Sequence, residues 1–527
     1  MDLSKQKKDL VKLFLSKDIL ISPEFVEQLK IVSDDKISDL MKKISNFKEG
    51  PMVISKEIED FLSSFSDKEP DWKEFERLLT SFDKNKNNSF HKVVSAIKED
   101  NNIQEELKRK KDLDVVFSYE DSLDKKELQT FVSYFNNRYK ALKTILQFRI
   151  ELEKASAINR VKTRFEKDNV AIIGMVYNKS ITKNGNYMLA LEDPSGIINV
   201  IVNKTKEETF EMCKSIVFDE VIGVTGVSSN GIIFADKIFT PDVPVNKELK
   251  KCDDDVNIAV LADIHIGSKH FLYDEFNRMI KWLKGEFGNE QQREDAKKIK
   301  YLFIVGDLVD GVGIYPSQEN DLEIKDIIEQ YDKMASYLKK IPEHIKIIIA
   351  AGNHDAVRIP EPQPKLPNDF AKALWDLPNV TMVSNPSLIK IGATDKFDGF
   401  LIYLYHGFSM PFYAENVESI RQKGGLENVE HIMQFLLKKR HLAPTHASTQ
   451  YIPDDREDYL VIKTVPDVFI SGHIHRATIA NYKNITLVNG STWIGMTDFQ
   501  EKVGLKPLPA RVPIINLKTR KGKIMRF

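Results

Sequence analysis

Residues 256–267 read Val256-Asn257-Ile258-Ala259-Val260-Leu261-Ala262-Asp263-Ile264-His265-Ile266-Gly267. A short, nearly continuous apolar run is the pattern of a strand buried on both faces, and this one ends in an acid, an imidazole and a glycine. The pattern recurs down the second half of the chain. Tyr301–Val305 runs into Gly306-Asp307-Leu308-Val309-Asp310-Gly311, and Ile345–Ala350 into Gly352-Asn353-His354-Asp355. Phe400–Tyr405 runs into His406-Gly407, and Val468–Ile470 into Gly472-His473-Ile474-His475. Ile485–Val488 is followed by Asn489-Gly490-Ser491-Thr492-Trp493, which is expected to line a cleft. Strands alternating with helical stretches predict a layered α/β domain over residues 254–527. Sites in such folds form beyond the carboxyl ends of the strands, so five loops would deliver Asp, Asn and His to one place.

Of the 11 histidines all but His91 lie beyond residue 260, so metal chemistry belongs to this half. Carboxylate and amide oxygens mixed with imidazoles, without thiolate, suit Mn²⁺, Fe or Zn better than an all-oxygen magnesium cage. Two such ions about 3.5–4 Å apart clamp the attacking and leaving oxygens of a phosphate displacement, and one aspartate between them can bridge. Asp-x-His and His-x-His, on an extended segment, would put alternate side chains on one side. The glycines allow tight turns and a close approach to phosphate. Each motif alone occurs by chance in many chains; the five in order, each after a strand, point to a binuclear metal site.

The rest of the chain reads differently. Residues 1–45 form a small helical unit, with Leu10, Val11, Leu13, Phe14 and Leu15 on a helical period and a cap and first-turn proline at Ser22-Pro23. Residues 46–123 are rich in Lys, Asp, Glu, Asn and Ser and read as a polar, partly disordered linker. Residues 124–158 are expected as one long helix, whose Phe131, Tyr134, Phe135 and Tyr139 suggest a core or docking face. Residues 159–247 change to a strand period: three strands, a helix and two more strands, the order of an OB-fold barrel. Tyr177, Lys179 and Tyr187 are a thin basis for single-strand binding there, against a structural docking role.

Composition sets the outer limits. In 527 residues, 42% hydrophobic and 29% charged, there is material for three to four domains at about 100–200 residues each. With 77 Lys+Arg against 78 Asp+Glu, global charge argues neither for nor against nucleic acid. Cys213 and Cys252 cannot make a disulfide framework or a Cys-rich zinc site. No apolar run approaches the ~20 residues of a membrane span, and no signal-peptide core follows Met1, so a cytoplasmic chain without membrane contact is expected.

Taken together, the five motifs resemble those of the calcineurin-like metallophosphoesterases. Ile314-Tyr315-Pro316-Ser317-Gln318, the run from Ala356-Val357-Arg358 to Glu361-Pro362-Gln363-Pro364, Arg440-His441-Leu442-Ala443-Pro444-Thr445 and Val465-Pro466-Asp467, behind an OB-fold, sharpen this. Over most of residues 125–520 the sequence resembles the small subunits of archaeal DNA polymerase D. The resemblance implies a 3′→5′ exonuclease that proofreads for, and scaffolds, the large catalytic subunit of that polymerase. Its substrate would be single-stranded or frayed 3′ ends of DNA, and its cofactors two divalent metal ions, Mn²⁺ first, with Mg²⁺, Fe or Zn as alternatives. Carried over by motif, Asp263, His265, Asp307 and His475 would hold one ion; Asp307, Asn353, His406 and His473 the other, with Asp307 bridging. His354 would be the general acid toward the leaving 3′ oxygen or would stabilise the phosphorane, with Asp355 fixing its tautomer. Asp310 is expected to support the ligands from behind. Arg358 could reach a substrate phosphate or pair with Glu361, and His441 and His446 read as ordinary polar residues. The N-terminal head would recruit other replication factors. A catalytically weak structural subunit and a free-standing phosphatase or phosphodiesterase are the alternatives.

Overall fold

The computed structural model describes residues 112–121, 125–163, 166–497, 501 and 506–527, together with one short parallel pairing of Ile19–Leu20 with Met52–Val53. The chain divides into two units, Met1–Lys108 and Arg109–Phe527. Apart from that pairing, the helices expected in residues 1–45 and the linker up to residue 111 lie outside the described residues.

The second unit starts with strand β1 (Leu113–Ser118) and helix α1 (Leu128–Gln147). β1 corrects the linker reading of residues 46–123. It pairs antiparallel with Ser387–Ile391 along its whole length. Asp112, just ahead of it, is clasped by Lys300 and Lys346 at 2.9 and 2.8 Å. An edge strand needs only backbone partners on one side and can carry exposed polar residues, so composition alone reads as linker. The helix expected to reach residue 158 stops at Gln147, and Arg149 is extended. Leu152 is the reason. It turns into the neighbouring barrel at Gly223, where an added Cβ would lie 2.2 Å from the leucine methyl.

The barrel itself comprises β2 (Asp168–Ile181), β3 (Tyr187–Asp193), β4 (Gly196–Val202), helix α2 (Glu207–Lys214), β5 (Val221–Ser229) and β6 (Ile232–Phe239). It closes in the order β2-β3-β4-β6-β5, with the helix where the sequence put it. Inward-facing Ile172, Val176, Leu189, Leu191, Val200 and Val224 fill it.

The remainder is a four-layer sandwich. Its elements are β7 (Asn257–Leu261), α3 (Tyr273–Leu283), β8 (Ile299–Val305), α4 (Ile327–Leu338), β9 (Lys346–Ala350), β10 (Val380–Val383), β11 (Ser387–Ile391) and β12 (Phe400–Leu404). They continue as α5 (Val429–Lys439), β13 (Val468–Ser471), β14 (Thr478–Tyr482), β15 (Ile485–Asn489), β16 (Arg511–Asn516) and β17 (Gly522–Arg526). Two six-stranded sheets run β10-β9-β8-β7-β16-β17 and β14-β15-β13-β12-β11-β1. Ile258, Val260, Phe303, Val305 and Ile348 of one sheet meet Ile402, Leu404, Val468 and Ile470 of the other. The alternate residues, Ala259, Leu261, Leu302, Ile304, Ile347 and Ile349, pack under α3 and α4. Tyr403, Tyr405, Phe469 and Leu487 pack under α5. Burial on both faces is why these strands read as continuous apolar runs.

Helix α1 and the barrel are tied to the sandwich by buried charge. Lys439 of α5 meets Glu220 of the barrel at 2.6 Å, both side chains almost fully buried. Arg138 of α1, 1% exposed, donates from Nε to Asp458 at 2.7 Å and from Nη1 to the Pro444 carbonyl at 2.6 Å. His441, buried and read as an ordinary polar residue, meets the same Asp458 oxygen at 2.8 Å and so takes part in this structural clasp. Breaking a buried ion pair strands its partner charge away from water. Arg138→Ala is therefore expected to cost about 3–5 kcal/mol in denaturant unfolding and to loosen α1, read as faster amide exchange along residues 128–147.

Candidate metal centre

β7, β8 and β9 run parallel, as do β12, β13 and β15, and the loops at their carboxyl ends converge. The chain reaches the site through left-handed backbone. Asp263, His265, Asp307, His473 and His475 have φ of 52°, 55°, 53°, 68° and 59°. Such residues cost on the order of 1–3 kcal/mol each and persist only where surroundings enforce them. This corrects the expectation that Asp-x-His and His-x-His alternate along an extended segment. Each side chain leaves from its own turn, and the N–H groups of Ile264 and His265 both donate to the Asp307 carbonyl, at 2.7 and 3.0 Å. Two glycines make the approach possible. A Cβ at Gly306 (φ +83°) would lie 2.2 Å from His406 Nδ1, and one at Gly352 would lie 2.3 Å from Asp307 Oδ1.

All seven residues expected as ligands come together. Asp263, His265 and His475 form one group whose ligand atoms lie within 4.8 Å of one another, and Asp307, His406 and His473 form a second. In the first, His265 Nε2 is 3.4 Å from His475 Nε2, and His475 Nε2 is 3.5 Å from Asp263 Oδ1. In the second, His406 Nε2 is 3.3 Å from Asp307 Oδ2 and 3.0 Å from Asn353 Oδ1. Asp307 Oδ2 also lies 3.9 Å from His265 Nε2, which places this carboxylate between the two groups. Asp310 stands behind the first group, its Oδ1 3.2 Å from His265 Nδ1.

The electrostatics suit a cation. Burial opposes ionisation of Asp307, yet His406, His354 and His265 outweigh it and hold the carboxyl well below its usual range. Burial likewise disfavours charge on His406, but Asp307 and Asp263 pull it up to about 10. Burial pushes His473 down to about 3, with the charge on His406 adding to the effect, and burial lowers His265 as well. Ionised carboxylates beside neutral imidazoles are the protonation states that ligate metals. The proton drawn onto His406 meets a demand for positive charge that divalent ions would meet instead. The oxygen and imidazole donor set, without thiolate, fits Mn²⁺, Fe or Zn.

Two expected roles are corrected. Asp355 does not touch the His354 ring. Its buried carboxyl accepts from the N–H groups of Leu308 and Gly352 and from Tyr331 Oη, and burial next to Asp307 raises it to about 7. It pins two loops together, while His354 Nδ1 lies 2.8 Å from the Asp310 carbonyl. Arg358 reaches neither the cleft nor Glu361. It ion-pairs with Asp121 at 2.6 Å, donates to the Pro362 carbonyl at 2.8 Å, and lies over the Tyr119 ring. Asp121 belongs to the stretch read as linker, so sequence gave no hint of it.

Several supporting residues escaped sequence reading. Asn385 Oδ1 accepts from the His406 N–H, and its Nδ2 donates to Gln363, which in turn donates to the Gly352 carbonyl. A lone Asn before a proline is too common a pattern to signal this. Thr492 and Trp493, by contrast, belong to the stretch expected to line the cleft, and both donate to the Asp263 carbonyl at 3.0 Å.

Comparison with known proteins agrees with this geometry. Residues 256–477 match the calcineurin-like phosphoesterase family. The DNA polymerase II small subunit of Methanothermobacter thermautotrophicus is 40% identical over 390 residues, covering 74% of this chain and 78% of that one. The protein of the same description from Methanocaldococcus jannaschii is 41% identical over 416 residues, covering 77% and 68%. That from Archaeoglobus fulgidus is 38% identical over 387 residues, covering 73% and 75%.

If Asp307 lies between two ions, its loss should release both. Asp307→Ala is expected to bring bound divalent metal from two equivalents to near none, and His473→Ala to about one, measured by elemental analysis after gel filtration. Equal losses in the two variants would contradict a bridge.

Proposed function

The chain belongs to the family of archaeal DNA polymerase II small subunits, and from that membership we propose that its metallophosphoesterase domain is a 3′→5′ exonuclease serving a large catalytic polymerase subunit. What carries the reading is the complete set of seven converging Asp, Asn and His side chains, five of them held at costly left-handed backbone. A subunit that only held a partner in place would gain nothing from that strain.

Asp263, His265, Asp307 and His475 would hold one ion and Asp307, Asn353, His406 and His473 the other. When bound, the two ions supply Lewis acidity at the phosphodiester and a more acidic attacking water. The chain's own residues do the rest. The Asp310 carbonyl can only accept, so the contact with His354 Nδ1 places a proton on that nitrogen. Nε2, without a hydrogen-bond partner among the described residues, is then the nitrogen that takes up a second proton from solvent, giving the imidazolium that can donate to substrate. Water attacks the terminal phosphorus and gives up a proton to solvent, the bond from phosphorus to the 3′ oxygen of the preceding nucleotide breaks, and the Nε2 proton of the imidazolium goes to that oxygen. A 5′-mononucleotide and a new 3′-hydroxyl leave, and His354 is reprotonated from solvent.

The scaffolding role is supported by apolar surface. Leu128, Phe148 and Ile150, at the two ends of α1, are 82%, 86% and 88% exposed. A large subunit lying along α1 would cover both ends, and exposed apolar groups of this size usually mark a partner site.

With Mn²⁺ the chain, alone or with its large subunit, should shorten mismatched or single-stranded 3′ ends one nucleotide at a time and stop when chelator is added. His354→Ala should keep both ions and lose about 10²–10⁴ in turnover. Undiminished trimming in excess chelator would end the metal assignment, and loss of metal from the His354 variant would make that residue a ligand.

A further inference from the structure

Gln318 is 1% exposed and lies in the loop that follows β8, turned inward after Ser317, whose φ is 65°. A buried amide has four hydrogen-bonding positions to satisfy, and this one meets the site's acid-base machinery on one side and its own loop on the other. Its Oε1 accepts from the Ile314 N–H at 2.9 Å. Its Nε2 donates to the Asp310 carbonyl at 2.8 Å and approaches Asp310 Oδ2 at 3.1 Å. The orientation is not ambiguous, because an N–H can only donate and a carbonyl can only accept.

The Asp310 carbonyl therefore accepts two hydrogen bonds, one from Gln318 Nε2 and one from His354 Nδ1. The Asp310 carboxylate is likewise divided, one oxygen toward Gln318 and the other 3.2 Å from His265 Nδ1. The next peptide is held separately. Gln330 of α4, fully buried, accepts from the Gly311 N–H at 3.0 Å and donates to the Gly311 carbonyl at 3.1 Å. Two interior glutamines thus lock the turn that presents Asp310 to both histidines.

We propose that Gln318 is a positioning residue for the leaving-group proton: by fixing the Asp310 peptide it holds His354 in the Nδ1-protonated tautomer with Nε2 directed to the reaction. This rests on the exonuclease reading for the identity of the leaving group but not for the tautomer. The acid matters in proportion to how poor the leaving group is. A sugar 3′ oxygen needs a proton as its bond to phosphorus breaks; a nitrophenolate does not. A defect in His354 alone should therefore fall on DNA and spare an aryl ester, whereas a damaged metal site should lose both.

The test uses the full chain with its large subunit and Mn²⁺. Gln318→Met removes the polar groups at similar volume; Gln318→Glu keeps the shape and turns an oxygen toward the Asp310 carbonyl, and decides the matter if the methionine variant does not fold. Both should keep two metal equivalents, lose about 10–100-fold on a DNA 3′ end, and stay within about threefold on bis(p-nitrophenyl) phosphate. The imidazole ¹⁵N shifts of His354, recorded with diamagnetic Zn²⁺ in place of Mn²⁺ and assigned by difference from His354→Ala, should report Nδ1–H in the parent and lose that signature in the variants. Parallel loss on both substrates, loss of metal, or an unchanged tautomer would overturn the proposal. A parent protein that hydrolyses the aryl diester but never DNA would instead defeat the exonuclease reading, and the ¹⁵N comparison would still decide the role of Gln318.

Discussion

A carboxylate shut away from water, that of Asp307, stands where the two sheets of the sandwich end. Its charge is tolerable only because His406, His354 and His265 surround it and because the His354 N–H donates to its Oδ1 at 2.8 Å. An isolated ionised carboxylate in that position would be too costly to keep. The need to compensate this one charge explains the crowding of imidazoles, the protonation drawn onto His406, and the closeness of the loops, down to the bare backbone of Gly306 and Gly352.

The surrounding architecture supplies the rigidity this requires. Strands β7, β8, β12 and β13 are buried on both faces, so the loops at their ends start from points that cannot shift. Left-handed turns then redirect five of the seven side chains inward, and their strain is held by hydrogen bonds from loop to loop, not by the sheets. Asp355 belongs to this layer. With its oxygens on Leu308 and Gly352, it staples the loop of Asp307 to the loop of Asn353. Farther out, Arg138 with Asp458 and Lys439 with Glu220 fasten helix and barrel to the same body.

Much of this was legible in the amino-acid sequence, and the reasons differ from residue to residue. The strands before the motifs could be read because double burial leaves an unbroken apolar run. The barrel could be read because its turns and its period-two alternation are local. The convergence of the seven Asp, Asn and His side chains could be read because few other uses exist for so many of them placed after strands. What escaped were relationships across the fold. Nothing near Leu113–Ser118 reveals that a distant strand will accept it as an edge, and nothing near Gly223 reveals that Leu152 will end a helix by packing there. The role that the resemblance implied for Asp355 does not hold, because successive residues at a turn point apart and its carboxyl turns to Leu308, Gly352 and Tyr331 instead. Arg358 was misassigned because its partner, Asp121, is remote in sequence.

The order in which the chain is made has a consequence for the cell. Asp263 and His473, whose N–H donates to it, are separated by 210 residues, and strand β7 reaches its interior place only when β16 pairs beside it. The carbonyl of Asp263 waits for Thr492 and Trp493. Contacts of such sequence separation form late, because loop closure must be completed before they gain anything. Synthesis runs from the amino end, so the growing chain carries most of these Asp, Asn and His side chains while still unable to bring them together. A site built this way cannot assemble piecemeal on a partly made chain; it comes together only once the β16–β17 hairpin has closed the sheet beside β7.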